Sequence, residues 1–147
     1  MARDREKDLY RERGANLVEM ALILPLLLLL LAAIADFGRA FQSYIVITNA
    51  AREGARLATR LPQNSSTDNL IRSAVIQEAA NSGLDLTDPN HTTIPIPIDP
   101  PLAEREAGKA ITVTVEYTVT TFFGGLIGLD EIGMRSRTAM VLFNLTE

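Results

Sequence analysis

Residues 15–35 read ANLVEMALILPLLLLLLAAIA, and how this stretch is taken decides how the rest of the chain is taken. Only Asn16 and Glu19 interrupt its apolar character, and residues 20–35 carry no charged or polar side chain. At about 1.5 Å of helical rise per residue, these 21 residues cover roughly the 30 Å hydrocarbon thickness of a bilayer. A helix that is apolar all round, as residues 26–31 make it, needs more cover than so small a domain can supply from its own core. The segment is therefore expected to be a transmembrane helix. Pro25 removes one N–H from it, a defect that membrane helices accommodate, and a kink is expected there.

Residues 1–14 form a charged leader in which Arg3, Arg5, Lys7, Arg11 and Arg13 alternate with Asp4, Glu6, Asp8 and Glu12. Orientation in a membrane follows the basic residues and is little affected by the acids, so the N-terminus is expected in the cytoplasm and the C-terminal part outside. A competing fate is ordinary secretion, because Ala33-Ile34-Ala35 has the form of a signal cleavage site before Asp36. Against it, the apolar run exceeds the usual signal core. The helical pattern also continues to Leu61-Pro62 without a breaking residue.

The whole chain has 147 residues, 47% of them hydrophobic and 22% charged, which is room for an anchor and one modest domain. A formal charge of -4 leaves no basic surplus to track phosphates, so nucleic acid is not an expected partner. The absence of cysteine excludes disulfides and thiolate metal sites, and folding must rest on core burial.

Residues 13–27, RGANLVEMALILPLL, resemble the N-terminus of the TadE-like family, the minor pseudopilins of tight-adherence (Tad, Flp-type) pilus systems. Asp36-Phe37-Gly38-Arg39 and residues 48–56, TNAAREGAR, are similar to that family's helix continuation. The resemblance implies that a prepilin peptidase cuts between Gly14 and Ala15, placing Glu19 fifth in the mature chain and leaving the anchor in place. Glycine before the bond suits a close backbone approach by the protease. Implied partners are that peptidase, membrane lipid and other pilus or pseudopilus subunits. The implied role is non-enzymatic: a minor pseudopilin of the cytoplasmic membrane, taking part in assembly of a Tad-type pilus for adhesion or secretion. Flp-type pilins carry tyrosine after the glutamate, whereas this chain has Met20 and is much longer. Both features favour a pseudopilin over a major pilin. The resemblance fades after residue 60, and the alternative function is a membrane-anchored exported binding module that recruits an envelope partner without entering a filament.

Residues 36–61 read as an amphipathic continuation of the same helix. Phe41, Tyr44, Ile45, Thr48, Ala51, Ala55 and Ala58 recur at three and four, with Gln42, Asn49, Glu53, Arg56 and Arg60 on another face. Ala50, Gly54 and Ala58 form a ridge of small residues that lets another backbone come close, either in the chain's own domain or in a neighbouring subunit. Residues 62–147 are expected to be an exported α+β domain. Ser66 or Thr67 caps a second helix running to Asn81, with Leu70, Ile71, Ala74, Val75 and Ala79 as its buried stripe. Ile94-Pro95-Ile96-Pro97-Ile98 fits an edge strand or an extended connector. Strict alternation over residues 111–120 marks a strand with one face buried. After a glycine-rich connection, residues 134–145 are its antiparallel partner, with a bulge expected where the apolar face shifts beyond Arg137. The expected fold class is α+β, a long N-terminal helix packed on a small antiparallel sheet, pilin-like, with a second short helix.

His91 has no partner at metal-binding or triad spacing and is expected to be an exposed structural residue. Asp130-Glu131 and Glu104/Glu106 are acid pairs of the kind common on solvated loops, and Gly124-Gly125 lacks the lysine of a phosphate loop. No catalytic residue, metal site or cofactor is expected. The glycosylation sequons at Asn64, Asn90 and Asn144 arise readily by chance.

Overall fold

The computed structural model describes residues 2–143. The first helix, α1 (Ala2–Ala58), is 57 residues long and runs unbroken through Pro25, which makes it about 85 Å in length. It stops three residues short of the expected Leu61, because residue 61 precedes a proline and is pushed out of the helical region. The last turn persists only as single bonds, Thr59 N–H to Ala55 O at 3.3 Å and Leu61 N–H to Leu57 O at 3.2 Å.

The second helix, α2 (Thr67–Asn81), buries Thr67, Ile71, Val75 and Ala79 at a strict spacing of four. Leu70, expected in that stripe, is half exposed, because a spacing of four leaves it one step off the contact line. Neither proposed cap residue bonds as a side-chain cap. Thr67 Oγ1 instead donates to Pro62 O at 2.5 Å and accepts from Asn64 N–H at 3.0 Å, closing the α1–α2 turn. At the far end, Gly83 (φ 80) reverses the chain, while Leu84 N–H reaches Ala79 O at 2.9 Å and Gly83 N–H reaches Ala80 O at 3.0 Å.

Three strands form an antiparallel sheet in the order β1 (Ile98–Asp99), β2 (Ala110–Thr120), β3 (Glu131–Val141). The proline-rich stretch contributes only the two residues of β1, as an edge strand, with Ile96 buried just before it. The β2–β3 ladder keeps one register from Ala110↔Val141 to Thr120↔Glu131, so the expected bulge is absent from the described strand. The strand also begins earlier than expected, at Glu131. Residue 145, the expected end of that strand, and the sequon at Asn144 lie outside the described residues.

The core lies between α1, α2 and the sheet. Ile47, Ala50, Ala51, Ala55 and Ala58 of α1 meet Ile71, Val75 and Ala79 of α2 and Ile111, Val113 and Val115 of β2. Of the apolar stripe expected on α1, Ala51, Ala55 and Ala58 enter the core, while Phe41, Tyr44 and Ile45 are 57%, 45% and 45% exposed. The domain uses the small-residue face of the helix because alanine and glycine let α2 and the sheet approach its backbone. A buried guanidinium ties the loop before β2 to this core. Arg105 pairs with Asp68 at 2.7 Å, donates from Nη1 to Gln63 Oε1 at 2.9 Å and from Nε to Pro100 O at 3.0 Å.

Candidate functional site

Residues 16–35 project from the domain with almost nothing packed on them. Leu17, Leu22, Leu26 and Leu31 are 71%, 74%, 68% and 64% exposed. The helix is long and apolar enough to cross a membrane, and none of its most apolar window is covered by the protein. This removes the reading of the run as a buried core helix. Glu19 is exposed on the bare segment, the only ionisable residue from Asn16 to Ala35. Gly14 and Ala15 stand on continuous helical backbone, and so do Ala33, Ile34 and Ala35, with no break before Asp36.

Where the bare segment meets the domain, Asp36 is buried at 6% exposure. Its carboxylate accepts Phe122 N–H at 3.0 Å on one oxygen and Phe123 N–H at 2.8 Å on the other. Arg39, one turn on, stands 3.6 Å from the same carboxylate, with its guanidinium 4.1 Å from the centre of the Phe122 ring. The β2–β3 connection is thus fastened to the helix at the upper end of the apolar run. Sequence reasoning missed this contact, because its partners are backbone groups 86 and 87 positions away. The only local signal was a carboxylate directly after a long apolar run.

Further along α1, Ala50, Gly54 and Ala58 are all buried. Gly54 faces Val75, Val113 and Ile71, so the ridge seats the chain's own α2 and β2. Nearer the bare segment, the helix carries Phe37, Phe41, Tyr44 and Ile45 as an exposed apolar stripe. Residues 14–56 match the family model described as TadE-like protein. This segment of the chain is similar to that family. The match opens on Gly14 and closes on Arg56, so the TadE-like segment contains the bare apolar helix, Glu19, the Asp36 clamp and two residues of the small ridge. The second helix and the sheet lie beyond it. No curated protein and no solved structure matches the chain.

Away from the TadE-like segment, an open groove of about 600 Å³ runs between residues 89–94 and the edge formed by Glu116, Tyr117 and Arg135. His91 lines it and is half-buried rather than exposed as expected. Its Nδ1 donates to Thr118 O at 2.9 Å, which fixes the proton on that nitrogen and pins the loop to β2. Its ring lies 6.0 Å from that of Tyr117. The Thr93 hydroxyl donates to Glu116 Oε2, and Arg135 pairs with Oε1, both at 2.5 Å. The Thr93 hydrogen bond, aided by Arg135, holds the Glu116 carboxyl below its ordinary value, and burial raises the Tyr117 phenol. These contacts join the loop to β2 and β2 to its neighbour β3. Among the described residues there is no group of three or more His, Asp or Glu placed to hold a metal ion.

Proposed function

We propose that the protein is a minor pseudopilin of a Tad-type pilus system. It is anchored in the cytoplasmic membrane by residues 15–35 with its N-terminus inside, and it acts by assembly rather than by catalysis. The observation that carries this reading is the coincidence of the TadE-like segment with a bare apolar helix that continues, without a joint, into the core helix of the domain. A secretory signal has no need of that continuity, because it is discarded. In a pilin-like subunit the same helix serves twice, as an anchor in the membrane and as a spine for the domain. The stripe of Phe37, Phe41, Tyr44 and Ile45 extends the apolar surface beyond the membrane and offers packing area to the helices of other pilus subunits.

Prepilin peptidase removes residues 1–14 in this scheme, and Ala15 becomes the new N-terminus. Intact-mass measurement on protein extracted from membranes of a host that expresses the pilus system tests the proposal. The expected species starts at Ala15, is lost in the Gly14→Leu variant and is kept in the Ala33→Leu variant. It also co-purifies with pilus components. A species starting at Asp36 establishes ordinary secretion instead.

A further inference from the structure

The β2–β3 connection does not project into solvent away from the helix; it folds back along it. Residues 121–129, TFFGGLIGL, carry no ionisable side chain, and Phe122, Phe123 and Leu129 are 74%, 47% and 60% exposed. Such a cluster is unusual on a water-facing turn. Its position is set by the Asp36 clamp and by an apolar crevice of about 180 Å³ whose lining includes Leu29, Ala33, Phe37, Phe123, Leu129 and Ile132. Leu29 stands two helical turns before Asp36, about 10 Å down the axis, inside the run that nothing else in the protein covers. The tip therefore occupies the same level as the last turns of the apolar helix.

The backbone of this tip is also prepared for a medium poor in water. Phe122 and Phe123 give their N–H groups to Asp36. Leu129 N–H donates to Gly124 O at 2.9 Å, Thr121 N–H to Asp130 O at 2.9 Å, and the Thr121 hydroxyl to Leu129 O at 2.6 Å. Polar backbone left unpaired in lipid is costly, and here a carboxylate from the helix satisfies donors that the turn cannot satisfy itself. Arg39, stacked on Phe122 one turn above, holds a cation where the headgroup phosphates of a spanned bilayer lie.

We propose that the β2–β3 tip is a second membrane contact, with Phe122, Phe123 and Leu129 seated in the interfacial layer of the exported-side leaflet beside the spanning helix, and with lipid acyl chains entering the Leu29–Leu129 crevice. The proposal rests on the reading of residues 15–35 as membrane-spanning. A depth of one to two helical turns agrees with the ~5–10 Å at which interfacial apolar faces settle. Two attachments, the helix and the tip, fix the orientation of the sheet over the bilayer, whereas the helix alone leaves rotation about its own axis free.

The chain contains no tryptophan, so each introduced indole is a unique reporter. Full-length Leu28→Trp, Phe122→Trp, Leu129→Trp and Phe143→Trp variants are reconstituted in phosphatidylcholine vesicles brominated at shallow or deep acyl positions. The Phe122→Trp and Leu129→Trp variants are expected to emit to the blue of indole in water and to lose most of their emission to the shallow bromines. Leu28→Trp is expected to lose it to the deep ones. Phe143, 83% exposed and at the opposite end of the β2–β3 hairpin, serves as the water-facing control. Quenching of Leu28→Trp without quenching of either tip variant overturns the proposal and leaves the spanning helix intact. A blue-shifted but unquenched tip means that protein covers it, and this also overturns the proposal. An unquenched Leu28→Trp variant removes the spanning reading and the proposal with it.

Discussion

Gly54 of α1 faces Val75 of α2 so closely that a β-carbon added at Gly54 overlaps the Cγ2 methyl of Val75, with Val113 Cγ1 at 3.4 Å and Ile71 Cγ2 at 3.5 Å on either side. Two helices and a strand therefore converge on one missing methyl group. Alanine at this position gains about 1 kcal/mol of helix propensity, but overpacking a closed site costs about 1–3 kcal/mol. With neighbours on every side, the overlap is expected to win. Thermal unfolding of the detergent-solubilised chain, followed by circular dichroism, should show Gly54→Ala melting below the parent. The same change in a Val75→Ala background should cost less or stabilise, since the methyl it strikes is gone.

Arg105 is the buried cation of the domain, with no exposed side-chain surface, and Asp68 at 2.7 Å is its ionic partner. Arg105→Gln leaves that carboxylate without its counter-charge at the start of α2 and releases Gln63 and the Pro100 carbonyl. A loss of roughly 3 kcal/mol is expected, the scale seen when one member of a buried pair is removed. The Arg105→Met, Asp68→Leu double variant should recover part of it, because no charge is then left uncompensated. Urea denaturation of all three chains measures the difference. Equal stability of Arg105→Gln and the parent would show that the pair contributes nothing.

The strand β2 was legible because Ile111, Val113, Val115, Tyr117 and Val119 alternate with polar residues over a full strand length, and burial of one face follows from that period alone. The bare helix was legible for the same kind of reason, since a run with no polar side chain admits few environments. The buried face of α1 was legible in part, since the ridge of Ala50, Gly54 and Ala58 was a candidate seat for the chain's own domain and Ala51 and Ala55 lay in the expected stripe. Its apolar stripe passes from large side chains at Phe41, Tyr44 and Ile45 to small ones at Ala51, Ala55 and Ala58, and hydrophobicity alone ranks the large ones first. The domain needed close approach rather than volume, so it buried the alanines and left Phe41 and Tyr44 outside. The Asp36 clamp was beyond any local pattern, because what it recognises is main chain at Phe122 and Phe123. The role of His91 likewise depends on the Thr118 carbonyl, which no side-chain spacing encodes.

Glu116 gives a pH dependence with a definite sign. The Thr93 hydrogen bond, with help from Arg135, lowers its folded pKa below the ordinary 4.5. Its contribution is therefore fully present above the unfolded pKa and is lost as the pH falls through the folded value. The stability gap between the parent and Glu116→Gln should be constant from neutral pH to about 5 and close below about 4.5. Its size at neutral pH should be about 0.5–1 kcal/mol, since the pair sits at the sheet surface. Chemical denaturation of both chains at several pH values checks this, and a gap that widens on acidification would contradict the assignment.

Glu19 is the lone ionisable group on a helix face that the folded chain leaves bare from residue 16 to residue 35. An ionised carboxylate at the centre of a bilayer costs roughly 2.5–3.5 kcal/mol on insertion scales. The position of Glu19 near the N-terminal end of the apolar run lowers that cost without removing it. Among the described residues no side chain pairs with it, and two sources of relief are water at the interface and a cation on another chain. In the proposed function that cation is the amine of Ala15 on a neighbouring subunit, which exists only after the bond following Gly14 is cut. Opposite charges at low dielectric attract strongly enough to offset their desolvation when they meet in good geometry. Leader removal and incorporation are then coupled, because an unprocessed subunit has no amine to offer. Glu19→Gln is expected to insert in the membrane as the parent does and to be processed at least in part, but to be depleted from pilus-associated fractions. Comparing processed protein in membrane and assembled fractions for the two chains measures the effect. Equal incorporation of the glutamine variant would place Glu19 in contact with water rather than with a neighbouring subunit.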